Sequence, residues 1–417
     1  MTREVELFLD YGGEVRSVGL LRCRPGRGTE RVLFEYDDEW LHRNDSFPID
    51  QALPLTGGVF PPSAGMDMFP VIGDTSPDRW GRRLMQRRER RLANREQRAP
   101  RTLFETDYVM GVSDISRIGA LRLRWSGQEE FQSPTNVGVP GHIALGDLLA
   151  ITRRIEAGEE TDEDIQMIFA PGASLGGARP KCSVHDVNGR LSIAKLPKQD
   201  DEYSVERWEA IAATLAQQAG INMASHSLEN INNVPVFLSH RYDRDADGQR
   251  VPYTSAMSIT QHQDGDHGSY LEIVDAISTH GSNAREDRVE LFRRLVFTIL
   301  VSNVDDHLRN HGFLWDGQGG WRLSPAFDIN PTSPLEKARV LQTNINFDEG
   351  TCDISLALSV AEEFSLSNKD AKKIVSEVGG VISKWQAVAH QHNAPAREIE
   401  YLSGAFEHAD LEQAKKL

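Results

Sequence analysis

The densest chemistry in the chain lies near position 300, in Ser302-Asn303-Val304-Asp305-Asp306-His307-Leu308-Arg309-Asn310. Asn303, Asp305, Asp306, His307 and Asn310 all carry side-chain atoms that can hold a ligand or move a proton. Asp305 and Asn310 stand five positions apart. Phosphoryl-transfer loops use that spacing for a carboxylate that orients or deprotonates the attacking hydroxyl and an amide that holds magnesium. Downstream, Ser324-Pro325-Ala326-Phe327-Asp328 supplies another oxygen donor. Taken singly, Asp305 or Asp306 reads equally well as a cap on free N–H groups at a helix end. The joint pattern of Asp, His, Asn and a later Asp among apolar residues favours phosphoryl transfer.

Several elements must position these groups. Val289, Phe292, Leu295, Val296, Ile299 and Leu300 recur at three- and four-residue steps, which predicts a helix delivering the chain into the polar loop. After Asn310, the run Gly312 to Trp315, an Asp316-Gly317 turn and Trp321-Arg322-Leu323 predict a short hairpin. Its return would bring Asp328 to face Asn310 as a second magnesium donor.

A glycine-rich stretch, Gly172-Ala173-Ser174-Leu175-Gly176-Gly177-Ala178-Arg179-Pro180-Lys181, lies well upstream. Glycines let backbone N–H groups approach phosphates, although they also mark ordinary turns, and GxxxxGK[ST] is absent. Cys182 to Val187, Asn188-Gly189 and Arg190 to Pro197 then predict a hairpin. Lys195 closes the otherwise apolar return strand, where it either meets a phosphate or partner or snorkels to water. Its candidate mate is Glu209, on a predicted helical face with Val205, Ala212, Ala213 and Ala216; Glu206, on a wetter face, is the second choice.

The remaining chain divides readily. Residues 4–36 fall into short β-like runs that predict a small antiparallel sheet, and 47–70 reads as an ordered Pro- and Gly-rich loop. Asp78 to Arg101 is a basic helical stretch that could meet nucleic acid, an acidic partner or this protein's own carboxylates. Residues 125–142 read as a linker. Val234 to Arg244 predicts a strand entering an Asp247-Gly248 turn, where a kinase-like fold passes from its sheet lobe to its helical lobe; its backbone, near His240 and Tyr242, could bond adenine. From Gly268 the pattern is mostly helical, with a capping signal at Ser367 before Ile374, Val375 and Val378.

A length of 417 residues allows two or three domains, and the net charge of -16 argues against nucleic acid wrapping the whole surface. No run is long and apolar enough to span a bilayer, and the N-terminus lacks a basic-then-apolar leader. Cys23, Cys182 and Cys352 are far apart and form no CxxC pair, so a reducing cytoplasm is expected.

These residues resemble the HipA family of bacterial toxin serine/threonine kinases over nearly the whole chain. The family's SxxGxxxK is matched by Ser174, Gly177 and Lys181, and its strand lysine in a KLP context by Lys195-Leu196-Pro197. Its NxDxHxKN is matched by Asn303, Asp305, His307 and Asn310, with Arg309 in place of Lys; its SP-x-x-D is matched at Asp328. The N-terminal strands and Gly73 to Arg83 look like the family's amino-terminal subdomain. His240 stands where the family often has Glu. The resemblance implies transfer of the ATP γ-phosphate to a protein serine, in known cases on an aminoacyl-tRNA synthetase. It also implies autophosphorylation at Ser174, and neutralisation by a small HipB-like helix-turn-helix antitoxin that carries the contact to DNA.

The expected fold is α+β and protein-kinase-like, two-lobed, with an extra N-terminal β-rich subdomain and a mostly helical C-terminal lobe. The expected domains are 1–124, 143–240 and 241–417. In this reading Asp305 is base or orienter, and Asn310 and Asp328 hold Mg2+. Lys195, positioned by Glu209, holds ATP phosphates. Lys181 and the loop of Ser174, Gly176, Gly177, Ala178 and Arg179 cover the nucleotide, while His307 supports loop or nucleotide or packs structurally. Two rivals remain: a small-molecule phosphotransferase, whose His usually precedes the Asp, and a catalytically idle scaffold for a DNA-bound repressor.

Overall fold

The computed structural model describes residues 2–133, 138–172 and 179–417; for residues 166 and 169–172 it describes the backbone alone. Two compact units emerge. One comprises Met1–Gln199, Ile231–Asn233 and His240–Thr254; the other comprises Asp200–Asn230, Val234–Ser239 and Ser255–Leu417.

The first unit begins with the expected antiparallel sheet. Strands β1 (Arg3–Tyr11), β2 (Glu14–Pro25), β3 (Glu30–Tyr36), β4 (Val59–Phe60) and β5 (Leu121–Trp125) lie in the order β4-β3-β2-β1-β5. Val5, Leu7 and Leu9 alternate into the core from β1, the period of a strand with one buried face. Gly12 and Gly13, at φ +66° and +77°, make the first turn. Gly19 is required for another reason: a Cβ there would meet the Glu35 carbonyl oxygen at 2.3 Å.

Helix α1 (Arg79–Arg95) follows, with Trp80, Gly81, Leu84, Met85, Glu89 and Ala93 on its buried face. Asp78 caps it by accepting the Gly81 N–H at 2.7 Å. Further along the chain come α2 (Leu145–Ala157) and α3 (Asp162–Gly172), which enters the glycine-rich stretch. Strands β6 (Lys181–His185) and β7 (Leu191–Lys195) form the expected hairpin. Gly189 takes φ +78° at its turn, and one oxygen of Asp186 accepts the N–H groups of Asn188 and Arg190, each at 2.8 Å.

In the second unit, α4 (Val205–Gln218) is capped by Ser204 and is buried on nearly every side. Strands β8 (His226–Ile231) and β9 (Val234–His240) run side by side. Helices α5 (Tyr270–His280) and α6 (Ala284–Leu300) then lead to the polar loop; Phe292, Leu295, Val296, Ile299 and Leu300 of α6 are fully buried, as the periodicity predicts. Strands β10 (Gly312–Trp315) and β11 (Trp321–Leu323) pair antiparallel, with Phe313 opposite Leu323. Helix α7 (Asn368–Ile382) starts at the expected cap, where Ser367 accepts the Asp370 N–H at 3.2 Å.

The wetter face assigned to Glu206 is wrong. Glu206 and Glu209 are 1% and 3% exposed, because neighbouring elements cover both sides of α4. Among the described residues no helix is long and apolar enough to cross a membrane, and Cys23, Cys182 and Cys352 are buried and unpaired.

Candidate active site

Helix α6 ends where Ser302 turns into the left-handed region, at φ +54°. Such a conformation costs a non-glycine residue ~1–3 kcal/mol and persists only where its surroundings enforce it. Here they do. Ser302 Oγ donates to the Ala405 carbonyl at 2.8 Å and accepts Nε of Arg339 at 2.9 Å, while its own carbonyl accepts the Thr332 N–H at 3.1 Å. Asn303 Oδ1 accepts the N–H of Asn330 at 3.1 Å, and Asn330 Nδ2 donates to Asp328 Oδ1 at 3.1 Å. Asp328 is itself left-handed, at φ +57°. The start of the polar loop and the Asp328 segment are thus tied directly together. The hairpin supplies the return, with the Ser324 N–H donating to the Gly312 carbonyl at 2.8 Å.

The two adjacent aspartates separate cleanly. Asp306 is 4% exposed and accepts the Tyr270 hydroxyl at 2.6 Å and His311 Nε2 at 3.1 Å. Burial alone would raise its pKa, but the charge and hydrogen bond of His311, with the Tyr270 hydroxyl, hold it below the usual carboxylate range. Asp306 braces the loop. Asp305 turns outward with a 66% exposed side chain, 3.7 Å from Lys337 Nζ. Asn310 is buried and donates through Nδ2 to the Asp305 carbonyl at 3.3 Å, so its oxygen is the atom left to offer a cation. His307 is half-buried, and its Nδ1 lies buried without a hydrogen-bond partner among the described residues, as do Asn303 Nδ2 and Asn330 Oδ1. Tyr270 and His311 were not singled out from sequence; the Tyr270 contact spans 36 positions, beyond any local spacing signal.

The first unit carries the lysines. Lys181 and Lys195 are directly opposed across β6 and β7, which puts both side chains on one face of the hairpin. Lys195 is half-buried, whereas Lys181 is 3% exposed with its Nζ 3.2 Å from Asp78 Oδ2. Arg179 is half-buried; Ser174, Gly176, Gly177 and Ala178 lie outside the described residues. His240 faces Ser192 Oγ through Nδ1 at 2.8 Å and Arg190 through Nε2 at 3.1 Å. The Arg241 N–H is used by the Leu191 carbonyl at 3.1 Å, and half-buried Tyr242 packs near Tyr253. Asp243, fully buried, is held by Arg241 at 2.5 Å and Arg244 at 2.7 Å.

The basic helix α1 mostly serves its own unit. Arg82 pairs with Glu105, Arg87 with Glu160, and Arg91 with Glu160 and Asp162. Arg83, Arg90 and Arg95 are exposed and form no ion pair among the described residues.

For magnesium, the fit rests on donor chemistry. Among the described residues no three His, Cys, Asp or Glu side chains gather to hold a metal. An amide oxygen from Asn310 and the Asp328 carboxylate are hard donors, and magnesium is commonly bound by one or two protein oxygens completed by phosphates and water. These residues fit it.

The fold is the α+β, kinase-like one expected, and comparison with known proteins places it further. The HipA-like C-terminal domain matches residues 173–385 and the HipA N-terminal domain matches residues 14–101. The chain belongs to the HipA family. The Sinorhizobium fredii protein Y4mE, whose name proposes a kinase, is 24% identical over 328 residues, covering 72% of each chain. A Haemophilus influenzae protein, also named as a proposed kinase, is 24% identical over 186 residues, covering 39% of this chain and 54% of its own. Among solved structures, the Shewanella oneidensis toxin–antitoxin complex of HipA, HipB and operator DNA matches with a TM-score of 0.68 at 15% identity, covering 99% of this chain and 96% of that one.

Proposed function

We propose that this protein is a magnesium-ATP-dependent serine/threonine protein kinase acting as the toxin of a toxin–antitoxin module. One observation carries the reading: the loop from Ser302 to Asn310 is locked by buried hydrogen bonds while Asp305 alone among its carboxylates faces solvent. A base or orienter needs that combination of fixed backbone and accessible oxygen. Magnesium-ATP, when bound, supplies the transferable phosphoryl group and neutralises its developing charge. Asn310 and Asp328 would hold the metal, and Asp305 would take or orient the proton of the acceptor hydroxyl. Lys195 would hold phosphates with Glu209 as its positioning partner, under the segment from Ser174 through Gly176, Gly177, Ala178 and Arg179 to Lys181. His307 would support the loop or the nucleotide, and His240 and Tyr242 would lie toward the adenine.

The partners proposed are a HipB-like helix-turn-helix antitoxin, DNA mainly through that antitoxin, and a cytoplasmic protein substrate such as an aminoacyl-tRNA synthetase. The family membership and the structural match to a HipA–HipB–DNA complex support the antitoxin and the DNA. Self-inactivation is part of the proposal. A phosphate on Ser174 would bring roughly -1.5 to -2 charges into the segment that ends at Lys181 and would repel ATP. Labelled ATP added to protein and cell lysate tests the activity: a labelled protein is expected with the unaltered chain and none with Asp305→Asn. Mass spectrometry of the same samples should show phosphate on Ser174 only in the active protein.

A further inference from the structure

The kinase reading leaves the arginine-rich helix of the amino-terminal domain without a task, and the geometry gives it one. Asp78 does two things at once. Its Oδ1 caps α1 through the Gly81 N–H at 2.7 Å, and its Oδ2 lies 3.2 Å from the ammonium of Lys181, with the two side chains 0% and 4% exposed. Asp78 falls within the residues matched by the HipA N-terminal domain; Lys181 falls within those matched by the C-terminal domain. The pair therefore joins two family domains inside one compact unit.

Further along the same helix, α1 grips the chain on the other side of the glycine-rich stretch. Arg87 donates to the Ile155 carbonyl at 2.6 Å and meets Glu160 at 3.2 Å. Arg91 donates to the Glu160 carbonyl and reaches Asp162, the first residue of α3, at 3.1 Å. So one helix holds the chain ahead of α3 and again at Lys181, where β6 begins.

The opposition of Lys181 and Lys195 explains why a counter-charge belongs there. Like charges directly across an antiparallel pair are destabilising. A buried ammonium without a partner is worse. Asp78 answers both, while half-buried Lys195 stays on the same hairpin face.

We propose that α1 is the brace of the nucleotide loop and that Asp78 is a positioning residue for ATP binding, acting through Lys181. The inference rests on the kinase reading and adds to it a role for the amino-terminal domain. Without the Asp78 charge, Lys181 loses the carboxylate that seats its ammonium at the start of β6.

Asp78→Asn is the informative variant, because asparagine keeps the helix cap and removes only the charge. Binding of the magnesium complex of a non-hydrolysable ATP analogue is measured by calorimetry, alongside thermal melting. Asp78→Asn should weaken nucleotide binding by roughly tenfold, the order expected when a group orienting a ligand-binding side chain is lost. Lys181→Met should weaken it similarly, and the double variant no further, since both changes break one link. Arg91→Gln, at a partly exposed pair that the fold can spare, should cost about threefold and keeps the test open if Asp78→Asn does not fold. Affinity within twofold of the unaltered chain in folded Asp78→Asn or Arg91→Gln, whatever the melting temperature, overturns the brace. Tighter binding overturns it too, since Asp78 would then be a competitor for Lys181. If the unaltered chain binds no nucleotide, the kinase reading fails and takes this inference with it.

Discussion

Two polar clusters in this chain are built in opposite ways. Around Asp243, the buried charges are answered, although Arg117 Nε is left without a partner among the described residues. Its carboxylate takes Arg241, Arg244 and the Gly119 N–H, and the surrounding guanidinium groups of Arg117, Arg241 and Arg250 turn to the carbonyls of residues 109–119. Burial works against its ionisation, but the two arginines hold its pKa below the usual carboxylate range. Around Asp305 the backbone is equally fixed, yet Asn303 Nδ2, His307 Nδ1 and Asn330 Oδ1 are buried without partners among the described residues. Native folds pair nearly all such atoms with protein, ordered water or a bound ligand. The first cluster holds a fold together; the second is where the proposed site lies.

The largest expected effect breaks the second cluster and spares the first. Asp305→Asn should lower the phosphotransfer rate by ~10²–10⁴. Because the side chain is exposed, melting should barely change. A labelled-ATP assay beside a thermal melt checks this, and retained activity would remove Asp305 from its role. The converse is Asp243→Ala, which leaves Arg241 and Arg244 buried without their carboxylate and should cost ~3–5 kcal/mol of stability by urea unfolding. Its activity per folded molecule should stay near that of the unaltered chain. A loss of activity with full stability would erase the contrast.

The difference between these clusters also marks what a sequence can disclose. The Asp305–Asn310 spacing, the hairpin after it and the Asn188-Gly189 turn are local, so their residues could be read in order. The bracing role of Asp306 was not readable, since it depends on Tyr270 and His311 reaching Asp306 after folding. The same holds for Lys181. Its motif suggested a cation over the nucleotide, but Asp78, more than a hundred residues earlier, buries it. The arginine run left nucleic acid, an acidic partner and the protein's own carboxylates all open, because the carboxylates at 105, 160 and 162 could not be picked out as its partners. Periodicity also misjudged Glu206, as it reports one helical face and not what packs on the other.

Asp328 tests the site against its own backbone. Replacement by Ala should weaken binding of magnesium-ATP by at least tenfold, given the loss of one of two protein ligands proposed for the metal. Replacement by Gly should weaken it as much. The two should differ in stability, however: at φ +57° a Cβ costs ~1–2 kcal/mol that glycine avoids, so Asp328→Gly should be the more stable. Calorimetry and urea unfolding together check both halves. Normal magnesium-dependent affinity in either variant would refute the metal assignment.

The smallest effect sharpens the comparison, because it loosens the frame beneath the loop without touching the loop's chemistry. His408 lies under Ser302 through Arg339, which reaches both residues. Its Nδ1 accepts the Leu411 N–H at 3.3 Å, and its Nε2 lies 3.2 Å from both the Leu300 carbonyl oxygen and Arg339 Nη2, a setting that favours the neutral ring. Burial chiefly, then the charge of Arg339, push its pKa down to about 4, against the opposing pull of Asp410. The unfolded chain takes this proton as pH falls through ~6.5, while the folded one takes it only near 4, so the unfolded state binds more protons between those values. The stability held in the neutral ring is therefore complete above the unfolded pKa and is lost as pH falls toward the folded one. By pH 5.5 the loss should be ~1 kcal/mol. His408→Asn keeps a capping side chain for the Leu411 N–H but cannot titrate. Urea unfolding at pH 7.5 and 5.5 should show a drop about 1 kcal/mol larger in the unaltered chain than in the variant, since the remaining carboxylates are common to both. Equal drops would mean that the ring is already charged in the fold, and that the frame beneath Ser302 carries a buried cation pair instead of a neutral cap.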